Sequence, residues 1–110
     1  MDVLATRFES LPRRSVRGSE IPVAVGLRAR TLGLALLDPA EAGPGLLIPR
    51  CAAVHTFGMR FALDLWFLDA DDKPLGVRRG VPPRRFVACR GAVAVLEVPT
   101  RARAFAEIVG

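Results

Sequence analysis

The sequence predicts a mainly-β domain: a compact sandwich, jelly-roll-like fold or small barrel of about seven short strands with one or two short helices. Three observations carry that expectation. Ten glycines and nine prolines in 110 residues cut the chain into short pieces. The apolar runs between them are roughly four to eight residues long, which is strand length rather than helix length. No heptad pattern, internal repeat or low-complexity tract competes with this reading. At 51% apolar and 25% charged, the composition fits one folded domain over residues 1–110. A chain of this size buries about two-thirds of its unfolded surface, so its core needs no metal or disulfide staple.

Taken in order, residues 3–8 form a first strand, and Leu11 to Ser19 a polar connection with room for a short edge strand. Ile21 to Val25 is a second strand, with Pro22 lacking an N–H and so favouring an edge. Between Leu27 and Leu37, Leu27, Thr31 and Leu34 recur at helical spacing, although Gly33 weakens a helix there by about 1 kcal/mol. Asp38-Pro39 then opens a single capped turn that Gly43 closes. A short strand over Gly45 to Ile48 leads into a connection over 50–59.

Phe61 to Leu68 is the most apolar stretch, with large side chains on both alternating faces, which places it in the middle of a sheet. Asp69 to Pro74 reads as a turn whose side chains bond their own backbone, and Leu75 to Arg79 returns antiparallel. Pro82 and Pro83 exclude a central strand; Phe86 to Cys89 and Ala92 to Val98 supply the last two. The tail from Thr100 suits a helix or a strand equally well.

The net charge is +5, and all but one of the 16 basic residues are arginine. Six of them, Lys73, Arg78, Arg79, Arg84, Arg85 and Arg90, fall in one segment that holds no acid. Arginine forks grip phosphate and carboxylate in two places, so 73–90 is a candidate surface for nucleic acid or an acidic protein. The plainer reading is an ordinary solvated face. Tyrosine is absent and only Phe86 interrupts the run, and that scarcity of stacking platforms argues against single-stranded nucleic acid.

Two well-separated cysteines, Cys51 and Cys89, and one histidine do not supply a protein zinc site, so neither metal nor cofactor is expected. No run of about 20 apolar residues offers a membrane-spanning helix, and the first residues lack a secretory leader's pattern, so the expected location is cytoplasmic.

The chemistry-bearing residues gather between Leu46 and Asp69. Asp64 interrupts the most apolar strand, and a buried carboxylate needs a cation, N–H donors or a raised pKa. His55 and Thr56 lie just upstream, and a turn at Gly58 would fold them back towards it. Such a pair would hold an imidazole for acid–base work. The structural alternative is an aspartate that accepts N–H bonds and pins a loop. Glu97 is a second carboxylate in an apolar strand, and two acids facing one cleft would suit glycoside hydrolysis at the right separation.

The order of several short motifs resembles the uncharacterised domain-of-unknown-function family 192. They are Arg30 with Gly33-Leu34, Gly45-Leu46-Leu47-Ile48, His55-Thr56-Phe57-Gly58-Met59, Leu63-Asp64 with Phe67-Leu68-Asp69, and Ala92 with Val95-Leu96-Glu97. Many members carry Trp-Met-Lys-Asn-Thr before the Leu-Asp pair, and a proline at the position of Ala62. This chain is similar to the His-Thr-Phe-Gly-Met variant instead. The resemblance implies a compact β domain with a helix packed on it, and implies no reaction.

Together these readings favour a small, non-enzymatic β domain that binds a small anionic or polar ligand, or a partner, near the 50–59 connection. Arg50, His55 and Thr56 would be its contacts, Asp64 its support, and Arg30 a further contact if the helical stretch crosses that end. The rivals are a hydrolase built on His55 and Asp64, and a basic adaptor working through 73–90.

Overall fold

The computed structural model of the chain describes residues 8, 10–26, 29–30 and 33–100. Eight strands follow in order: β1 (Arg13–Val16), β2 (Ser19–Pro22), β3 (Leu46–Pro49), β4 (Ala53–His55), β5 (Leu63–Leu68), β6 (Pro74–Val81), β7 (Phe86–Ala88) and β8 (Ala94–Pro99). One 3-10 turn spans Pro39–Glu41. The mainly-β expectation holds, in open antiparallel sheets rather than a closed barrel. Among the described residues no helix is long and apolar enough to cross a membrane.

The main sheet has the order β3-β8-β5-β6 and is antiparallel throughout. β5 is interior, as its two apolar faces require. Leu63, Leu65 and Phe67 pack on one side with Leu46, Ile48 and Val95. Leu68 joins Leu47, Ala94 and Leu96 on the other, under Val16 and Ile21 of the β1–β2 hairpin. The first side is covered by Val54 and Val87 of the β4–β7 ribbon and by Ala29, Leu34, Ala35 and Leu37. These layers make a sandwich with two separate apolar cores, one on each face of the sheet.

Three elements differ from the sequence reading. The 50–59 connection contains β4, three residues held by β7, a strand too short to show an alternating pattern. The helical stretch is curtailed. Ala29 and Arg30 are helical, but Gly33 (φ 53°) and Leu36 (φ 70°) adopt left-handed backbone, which ends the helix. The single turn after Leu37 is capped in the reverse sense. Glu41 reaches back to the Asp38 N–H at 2.8 Å, while the Asp38 carboxylate lies 3.3 Å from Arg60. The strand expected over 3–8, apart from Phe8 in a turn, and the tail after Thr100 lie outside the described residues.

The sheet also explains Asp64. Leu63 pairs with Val81 and Leu65 with Arg78, so β6 carries one extra residue opposite Asp64. Gly80 (φ 64°) takes up that bulge and turns its N–H to the carboxylate at 2.9 Å. Thr100 donates its hydroxyl to the same oxygen at 2.8 Å. The second oxygen is 3.5 Å from the Arg79 guanidinium, which lies 5.0 Å from the centre of the Trp66 ring. The described partners thus come from β6 and from the residue after β8, not from the 50–59 segment. Asp64→Ala leaves the Gly80 N–H and the Thr100 hydroxyl without this acceptor. It is expected to cost about 2–4 kcal/mol, read as a fall in Tm; a Tm within one degree of the parent contradicts this role.

Candidate functional site

The register that buries Asp64 also decides which carboxylate faces the proposed site. Leu65 stands opposite Glu97 and Asp64 opposite Val98, so the two acids point to opposite faces of the sheet. A cleft shared by both, as glycoside hydrolysis requires, is therefore excluded by geometry. The His55–Asp64 pair fails with it. His55 sits on the β4–β7 ribbon over the face that carries Glu97, and Asp64 is committed to β6 on the other.

What the fold builds instead is a cavity of about 280 Å³ lined by Arg30, Gly33, Ile48, Cys51, Ala53, Val54, His55, Met59 and Glu97. Glu97 is 3% exposed, and its Oε1 has no hydrogen-bond partner among the described residues. Burial pushes its carboxyl up to about 7, against the opposing pull of the Leu34 N–H that donates to it. Gly33 makes room for this group, since a Cβ there would lie 2.8 Å from Oε1. The left-handed turn that stops the helix is thus also what clears space over the carboxyl.

Arg30 reaches this cavity from the helical segment. Its guanidinium donates to the Pro49 carbonyl and, at 3.3 Å, to the Arg50 carbonyl. A guanidinium has five N–H donors, so two such bonds orient the charge without exhausting it. His55 is exposed at the rim, with Nδ1 accepting from the Phe57 N–H at 3.3 Å. In the neutral ring that leaves the proton on Nε2, a donor for anything that enters. The Cys51 thiol donates to the Ala53 carbonyl at 3.0 Å, and both cysteines are unbridged. Among the described residues no three His, Cys, Asp or Glu side chains gather as metal ligands.

Of the residues expected at this site, Arg30 and His55 line the cavity. Arg50 is exposed in left-handed backbone (φ 50°), and it offers Arg30 its carbonyl. Thr56 is fully buried and serves as a clip. Its hydroxyl donates to the Pro82 carbonyl at 2.7 Å and accepts from the Arg85 N–H at 2.8 Å, tying β4 to the 82–85 turn. Sequence reasoning noticed Glu97 only as a companion to Asp64. The signal pointing elsewhere was Gly33, a glycine in an otherwise helical pattern, whose reason is the side chain it makes way for.

Residues 11–108 match the family described as DUF192, "Uncharacterized ACR". No curated protein matches the chain. Two crystal structures share its fold. One is of a protein from Sinorhizobium meliloti 1021 described as a "putative transcription regulator". It has a TM-score of 0.66 and 19% identity over 84% of this chain and 83% of that one. The other is of a protein of unknown function from Novosphingobium aromaticivorans DSM 12444. It has a TM-score of 0.61 and 18% identity over 98% and 93% of the two chains. At these identities the likeness speaks for the fold alone.

A carboxyl raised to about 7 by burial destabilises the folded state once it ionises. The folded chain holds this proton more tightly than the unfolded one. The stability it confers is therefore complete below the ordinary glutamate value and is lost as pH rises through about 7. Glu97→Gln is expected to remove about 3 kcal/mol of pH dependence between pH 4.5 and 8, measured by urea unfolding of both proteins. Parallel curves for the two would contradict this.

Proposed function

The chain belongs to the DUF192 family, and from that premise we propose that it is a small β domain that binds a small polar or anionic ligand in the Glu97 cavity without transforming it. One observation carries the reading: Oε1 of Glu97 is buried, without a hydrogen-bond partner among the described residues, in a cavity that Arg30 also lines. An unsatisfied buried polar atom costs about 1–3 kcal/mol, and an incoming donor recovers that energy. The cavity volume of about 280 Å³ falls just short of the ~300 Å³ at which ligand pockets usually begin, so the ligand is small. Ile48, Val54 and Met59 provide apolar walls, while Glu97, Arg30 and His55 supply converging polar groups. A compound with a hydroxyl or amine for Glu97 and a carboxylate or phosphate for Arg30 fits this division.

In this reading Arg30 and His55 are ligand contacts, and Glu97 is the acidic group in place of Asp64. The hydrolase alternative loses its acid, because Asp64 faces away.

Thermal-shift titration with hydroxy acids, amino acids, small phosphate esters and short glycans tests the proposal. At least one class is expected to raise the Tm of the parent, with affinity reduced about tenfold or more in Glu97→Gln and in Arg30→Gln. The reading is overturned if no compound stabilises at millimolar concentration, or if both variants respond as the parent does.

A further inference from the structure

A second surface lies on the outer side of the β4–β7 ribbon and adjoins the cavity at His55. Val54 and Val87 are register partners and point into the core, so the next pair, His55 and Phe86, points outward. Phe86 is 72% exposed and Phe57 is 55% exposed, and the Phe57 ring lies 5.7 Å from that of His55. Three rings spread over the 32 positions from His55 to Phe86 are thereby gathered near one end of one ribbon. The sequence reading, which found stacking platforms scarce, counted Phe86 alone.

Arginines border the rings. The Thr56 clip fixes the 82–85 turn, with the Arg85 N–H on its hydroxyl and the Arg84 N–H 3.3 Å from its carbonyl. A groove of about 170 Å³ is lined by Phe86 together with Arg78, Arg79, Arg85 and the residues from Gly80 to Pro82. Arg79 is engaged by Asp64. Among the described residues Arg78, Arg84 and Arg85 take part in no ion pair, and no acid occurs from Lys73 to Leu96. A large apolar ring held in water beside unpaired guanidinium groups is the combination that a single-stranded nucleic acid fits. Bases stack on the rings and phosphates take the arginine forks. An acidic protein segment would use the charge and leave Phe86 idle.

We propose that the Phe57–His55–Phe86 face and its bordering arginines form a binding surface for single-stranded nucleic acid. The surface meets the Glu97 cavity at His55, which lines both, so the two sites are told apart by changes at Glu97 and Phe86 and not at His55. Arg78 and Arg85 neutralise phosphates, and Phe86 carries a base. Because exposed side chains provide the contacts, substitutions there leave the core intact.

Fluorescence anisotropy with mixed-sequence 12-nucleotide RNA and DNA strands measures this directly, with a polyglutamate peptide as the acidic-protein arm. Binding to at least one nucleic acid is expected, weakening steeply as salt rises. Phe86→Ser is expected to weaken it by about tenfold with little change in the salt slope. Arg78→Gln and Arg85→Gln should each lower the log–log salt slope by about 0.7. Glu97→Gln should bind as the parent does, and an unchanged circular dichroism spectrum checks that each variant is folded. No binding at 50 mM salt overturns the proposal. So does nucleic-acid binding that Phe86→Ser leaves unaltered, or polyglutamate binding as tight as that of either strand.

Discussion

The pairing of β5 with β8 is the constraint on which the rest of the molecule depends. Leu65 opposite Glu97 fixes the side-chain parity of both strands, and one step of slippage would exchange every inward and outward residue. With that register, each face of the sheet receives one carboxylate within an apolar layer. The two are then treated differently. Asp64 meets a bulge that presents the Gly80 N–H, a hydroxyl and a guanidinium, and it becomes part of the scaffold. Glu97 meets a single N–H from Leu34, the space left by Gly33 and a cavity. The same residue chemistry thus yields a structural clamp on one side and a buried carboxyl at the wall of a cavity on the other.

What was legible in the sequence was whatever local chemistry decides. The central strand showed through its apolar side chains on both alternating faces. The Asp69–Lys73 turn showed through an aspartate able to bond its own backbone, and Asp69 does accept from the Asp71 and Lys73 N–H groups. The prolines after Val81 end β6 where a missing N–H predicts it. The family resemblance and the mainly-β class follow from such local signals taken together.

What was not legible depends on register and on contacts distant in sequence. Nine positions separate His55 from Asp64, and nearness along the chain suggested a pair. Nothing local reveals that β4 leaves the main sheet to join β7. Thr56 looked like a ligand contact because hydroxyls usually face water. Its burial exists only because Pro82 and Arg85 come to it from across the fold. Phe86 stands alone in its basic run for the same reason, since Phe57 reaches it only through the pairing of β4 with β7. The clip that removes Thr56 from the candidate site is also what sets the arginine turn beside the exposed rings.

The cavity's chemistry depends most directly on the state of one carboxyl group. A ¹³C NMR titration of the Glu97 side-chain carboxyl, in protein without added ligand, reads it without reference to stability or binding. The account predicts a midpoint of about 7, set by burial that a single backbone N–H does not offset. A midpoint at the ordinary glutamate value, near 4.5, would mean that the group is solvated or paired, and would contradict the site as described.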